Sequence, residues 1–121
     1  MAGMRVATYY SLAALLEGPL HGYAILERVR SMTGGEVSLT TGTLYGTLDR
    51  LADEGLIRRT TSEIVNGRAR TYFEITDKGS GAVQAEAARL SRAANAVKAR
   101  TVRGRAGDTA PGVPFGRPAL A

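Results

Sequence analysis

Two clusters of side chains in this 121-residue chain could do chemistry, and both suit contact with a polyanion rather than bond-making. The first is Thr40, Thr41, Thr43, Tyr45 and Arg50, hydroxyls and a guanidinium in one short stretch. The second is Asn66-Gly67-Arg68-Ala69-Arg70, two arginines beside a turn-forming pair. Hydroxyls at a helix start can both cap the helix and meet phosphate, because the helix N-terminus itself favours anions. Arginine pairs with phosphate oxygens or bidentately with guanine. Bond-making machinery is not in view. There is no nucleophile–base–orienter set, no phosphate-cradling glycine loop and no pair of carboxylates beside the single His, so an enzyme is not expected. With no Cys and one His, neither a disulfide framework nor a metal cluster is expected, and no cofactor is implied.

The elements that must position these residues follow from spacing and end signals. Val6, Tyr9, Leu12, Ala13 and Leu16 recur at helical intervals, and Gly18-Pro19 ends that helix. A second helix starts near His21 or Gly22, buries Ile25, Leu26, Val29 and Met32, and stops at Gly34-Gly35. A third starts at Thr40 or Thr41 and turns Leu44, Leu48 and Leu51 inward, with Gly55 as its left-handed cap. The period then changes. Leu56 to Thr61 can be extended, Asn66-Gly67 is a strong hairpin signal, and Arg70 to Ile75 alternates. Thr76-Asp77 caps a final alanine-rich helix running to about Arg100. Three helices, a hairpin and a long last helix make a mainly α protein with a small β-hairpin. That is a winged helix-turn-helix, which places one helix in a DNA major groove and the hairpin on the backbone beside it. The domains expected are 1–76 for the winged unit, 77–103 for a dimerisation helix, and 104–121 for a Gly/Pro/Ala-rich tail with too few large apolar residues to order itself.

The formal net charge of +5 does not reside where DNA would lie. Residues 1–76 hold eight arginines and eight carboxylates, and the surplus falls on the last helix and the tail. A DNA-facing potential therefore requires Arg50, Arg58, Arg59, Arg68 and Arg70 to share one side. Tyr45 flanks the leucine stripe rather than continuing it, which favours contact with DNA. Tyr23 is read equally well as a contact or as a core-edge aromatic with a wet hydroxyl. His21 is read as a structural residue starting the second helix, with an operator contact or a pH switch as the alternative.

Leu20-His21-Gly22-Tyr23, Gly42-Thr43-Leu44-Tyr45, Leu51 running into Glu54-Gly55-Leu56-Ile57, and Gly67-Arg68 with Tyr72 together resemble the PadR-like family of bacterial transcription regulators. The resemblance covers nearly all of residues 5–79 and is closest to the short-form members with one C-terminal helix. It implies a dimeric winged-helix repressor, one copy per operator half-site, relieved by a small and often aromatic molecule. Two departures stand out: the family usually has Pro where this chain has Thr41 and Gly46. Gly46 removes a side chain from the helix surface nearest DNA.

The last helix also carries a seam of its own. Val83, Ala87, Leu90, Ala94 and Val97 are spaced alternately by four and three, a heptad pattern with small knobs. Val6, Tyr10 and Ala14 on the first helix offer a second apolar strip for a homodimer. The partners expected are double-stranded DNA and a second copy of the chain. A winged-helix module for protein or RNA without operator specificity is the alternative, because fold does not dictate function. The apolar stretch Val6–Leu16 is too short to span a bilayer and lacks a cleavage pattern, so a cytoplasmic protein is expected.

Overall fold

In the computed structural model of the chain, the backbone is described for residues 3–108 and side chains for residues 3–60 and 63–101. The elements in order are α1 (Val6–Ala14), β1 (Leu20–His21), α2 (Gly22–Met32), α3 (Thr41–Asp53), β2 (Ile57–Val65), β3 (Arg68–Ile75) and α4 (Asp77–Asp108). This is the winged helix-turn-helix with a small antiparallel sheet that the sequence predicts. By contacts the chain divides into two units, Met1–Glu86 and Ala87–Ala121.

The helix ends show why these residues form these elements. Thr40, not Thr41, caps α3: its Oγ1 accepts the Thr43 N–H at 3.1 Å. Leu44, Leu48 and Leu51 are fully buried, each contributing about 2 kcal/mol by area removed from water. α3 closes through Gly55 at φ 77°, with the Leu56 N–H donating to the Leu51 carbonyl at 2.9 Å, the pattern of a Schellman stop. The same corner fixes the start of α4. The Thr76 hydroxyl accepts from the Gly79 N–H at 3.1 Å and donates to the Gly55 carbonyl at 2.7 Å. Gly79 has to be glycine there, because a Cβ would overlap the Leu56 carbonyl.

The sheet has the order β1-β3-β2. β2 and β3 pair from Ile57↔Ile75 to Val65↔Arg68, with an irregularity between Arg59 and Ser62. Asn66 and Gly67, at φ 52° and 77°, form the two-residue turn that the right-handed twist of the strands prefers. β1 is a two-residue strand that sequence reasoning did not anticipate; it pairs Leu20 with Phe73 and His21 with Tyr72. β2 also runs beyond the expected Thr61, to Val65.

The core of the first unit gathers Leu12 from α1 and Leu15 just past its end, Ile25 and Val29 from α2, the α3 leucines, Ile57, Phe73, and Val83 from α4. Val83 is thus part of the winged unit's own core rather than an exposed seam residue. Glu86 is buried as well, and its Oε2 accepts the Met4 N–H at 3.2 Å. The first turns of α4 therefore belong to the winged unit, which extends past the expected boundary at residue 76. In the second unit, α4 continues to Asp108, beyond the expected end near Arg103. The remainder of the expected tail, residues 109–121, lies outside the described residues. Among the described residues no helix is long and apolar enough to cross a membrane.

Candidate nucleic-acid interface

α3 turns its leucines inward and presents its N-terminal turn to solvent. Thr40, Thr41, Gly42 and Thr43 are all exposed. The Thr40 hydroxyl also donates to Thr43 Oγ1 at 3.0 Å, so capping and presentation share the same group. Tyr45 is 43% exposed and lies against Gly22 at the start of α2. Tyr23 is 66% exposed, which removes it from the core. Gly46 leaves open space on the outer face of α3.

The wing meets the first cluster at Tyr45 alone, while Thr43 and Arg50 line a separate concavity beside α1. A cleft of about 520 Å³ is bordered by Tyr23 and Tyr45 on the helical side and by Asn66, Arg68 and Arg70 on the wing side, and His21 also lines it. Five of the ten residues expected to face DNA thus share one concavity, although they come from three separate stretches of sequence. Arg68 is exposed and Arg70 half-buried.

His21 holds the structural position expected of it. Its Nδ1 accepts the Ala24 N–H at 3.3 Å and caps α2, and its ring meets Tyr72 edge-on at 5.5 Å. Burial pushes its pKa below the usual histidine value; the Arg70 guanidinium lowers it further, and the Glu63 carboxylate opposes both. An Nδ1 that accepts a hydrogen bond must be unprotonated, so cap and titration favour the same neutral form.

Charge pairing sorts the arginines. Arg50, Arg58 and Arg59, expected to share a DNA-facing side, are each held by a carboxylate. Arg59 pairs with Asp49 at 2.6 Å, Arg58 with Glu74 at 3.0 Å and Arg50 with Glu54 at 3.5 Å. Arg50 also donates to the buried Thr8 hydroxyl of α1, so its guanidinium bridges two helices of its own unit. Arg28 and Arg30 pair with Glu17 and Glu27. Arg68 and Arg70 carry no carboxylate partner among the described residues, and neither does Arg5 at the start of α1, which sequence reasoning did not single out. The first unit, with nine arginine and lysine side chains against ten carboxylates, thus leaves Arg68 and Arg70 on the wing and Arg5 at α1 without a carboxylate partner among the described residues. The arrangement suits binding an anionic backbone beside an exposed helix. Among the described residues no group of three or more His, Asp or Glu could hold a metal ion.

The residues expected to join two copies are divided. Val6, Leu90 and Val97 are 57%, 39% and 65% exposed, and Ala87 and Ala94 are exposed too. Tyr10 is half-buried, while Ala14 and Val83 are consumed by the core of the unit.

Known proteins agree with this geometry. A 37.1 kDa protein in transposon TN4556 of Streptomyces fradiae is 37% identical over 81 residues, 67% of this chain; the match spans only 22% of that protein's length. A transcriptional regulator from Clostridium thermocellum superposes with a TM-score of 0.64 at 25% identity, covering 76% of this chain and 86% of that one. Bacillus subtilis PadR, solved in complex with operator DNA, gives a TM-score of 0.60 at 28% identity over 66% of this chain and 45% of the PadR chain. Residues 12–85 match the model of the transcriptional regulator PadR-like family, a span that runs from the core of α1 through α3 and the wing to the buried start of α4. With fold, wing and matched span in agreement, the chain belongs to the PadR-like family of transcriptional regulators and is not an enzyme.

Proposed function

We propose that this regulator binds double-stranded DNA sequence-specifically, with α3 in a major groove and the wing on the adjacent backbone. It acts as a homodimeric repressor on an inverted repeat. The observation that carries this reading is the cleft that Arg68 and Arg70, with no carboxylate partner among the described residues, share with Tyr23 of α2 and Tyr45 of α3. Phosphate contacts from the wing set register and orientation, while α3 supplies contacts to base edges. Thr41 and Thr43 are the entering residues, and Tyr45 reaches from the same helix. That the Bacillus subtilis relative was solved in complex with operator DNA supports DNA as the ligand.

The dimer rests on Leu90 and Val97, large apolar side chains one heptad apart and open to solvent, with Val6 as a second apolar contribution. A two-fold axis would set two α3 helices about one DNA turn apart, roughly 34 Å. Relief by a small aromatic ligand belongs to the same reading and is supported by the family resemblance alone; a cytoplasmic location is part of the same proposal.

Selection of bound sequences from random duplex DNA by the purified protein tests the function. An enriched inverted repeat, bound in the presence of excess RNA and unrelated duplex, is the expected result. Recovery of no motif, or displacement by RNA, contradicts it.

A further inference from the structure

Three rungs from the tip of the wing, Glu63 on β2 and Arg70 on β3 are direct partners in the antiparallel register. Side chains directly opposite on one face lie close enough for opposite charges to pair. The same sheet shows this at another rung. Arg58 and Glu74 are register partners, and they form an ion pair at 3.0 Å. Glu63 and Arg70 form none. The Glu63 carboxylate instead accepts a hydrogen bond from the Tyr72 hydroxyl at 3.0 Å.

Tyr72 is two residues from Arg70, so the strand places both on one face. Its ring is fixed from the other side by the edge contact with His21, its register partner in β1. Arg70 borders the cleft between the wing and α3.

We propose that Tyr72 is a positioning residue: its hydroxyl draws the Glu63 carboxylate away from Arg70 and leaves that guanidinium uncompensated for a DNA phosphate. The inference rests on the DNA-binding reading above. It adds a control point that neither Arg70 nor Glu63 reveals alone, because a carboxylate across the ladder from a phosphate-binding arginine would otherwise compete with DNA for it.

The test is a fluorescence-anisotropy titration of a mixed-sequence duplex at low salt with the full chain. It compares wild type, Tyr72→Phe, Glu63→Gln and the double variant. Tyr72→Phe keeps the ring and its contact with His21 and removes only the hydroxyl. We expect it to weaken binding about threefold, the factor set by an exposed ion pair, with a shallower salt slope. In the Glu63→Gln background the same change should have no effect, since no competing charge remains. The inference is overturned if Tyr72→Phe binds like wild type. It is also overturned if the loss persists undiminished beside Glu63→Gln, which would make the hydroxyl a direct contact or a mere prop. A wild-type chain that binds no duplex overturns the DNA-binding reading itself, a result distinct from either of these.

Discussion

The Tyr45 hydroxyl occupies the place where a side chain on residue 22 would begin: a Cβ there would overlap it and stand 2.6 Å from Cζ. Gly22 opens α2, Tyr45 lies one turn into α3, and the absence of a methyl group lets the two helices meet at the cleft. Alanine for glycine in a helix ordinarily stabilises by about 0.5–1 kcal/mol. Here we expect the opposite sign. Gly22→Ala should cost about 1–3 kcal/mol by overpacking and should weaken DNA binding by displacing Tyr45. In a Tyr45→Ala background the same substitution should be neutral or stabilising. Urea denaturation of the four proteins of this cycle measures the coupling.

Arg50 is expected to serve the fold more than the operator. Its guanidinium ties α3 to Thr8 of α1 and pairs with Glu54. Arg50→Ala should lower stability by about 1 kcal/mol and leave the preferred DNA sequence unchanged. A bidentate guanine contact would instead cost about 1–3 kcal/mol at one base position only. Binding to operators mutated one base at a time separates the two outcomes.

The cap of α2 makes stability depend on pH. His21 is neutral in the folded state and its pKa lies below the ordinary 6.5. The folded protein therefore binds fewer protons than the unfolded chain once pH falls below that value. Stability from this group should be complete above pH 6.5 and should decline as pH falls toward the lowered folded pKa. His21→Asn keeps a capping acceptor without the titration. Thermal unfolding across this window should show a slope in wild type that the variant lacks, set against the carboxylate titrations common to both.

Assembly should depend on the exposed seam residues and not on the buried ones. Leu90→Glu with Val97→Glu places charge at two exposed positions of α4 without entering the core. Sedimentation equilibrium should find wild type dimeric at micromolar concentration and the double variant monomeric with unchanged helix content. A double variant that remains dimeric places the interface elsewhere.

Much of this was legible in the sequence because it is written in local signals. The leucine spacing of α3, the Gly55 stop, the Asn66-Gly67 turn and the Thr76 cap each depend on a few neighbours, and each appears in the structure. β1 was not legible, since two residues carry no periodicity and exist as a strand only by pairing with Phe73 and Tyr72. The burial of Ala14 and Val83 was likewise hidden, because a small residue on a helix reads the same on either face. Sorting the arginines needed the tertiary structure outright. Asp49 and Arg59 come from different elements, and Glu74 reaches Arg58 only through the hairpin register. Of the five arginines expected to share a DNA-facing side, Arg50, Arg58 and Arg59 are each paired with a carboxylate, and Arg68 and Arg70 have no carboxylate partner among the described residues.

The most direct test of the account is the salt dependence of binding to the selected duplex for wild type and an Arg68→Ala/Arg70→Ala variant. Each phosphate contact contributes about one unit to the slope of log K against log salt. We expect a slope shallower by about two units in the variant, with binding to every sequence weakened alike. An unchanged slope and affinity would contradict it, because the wing would then not be touching DNA.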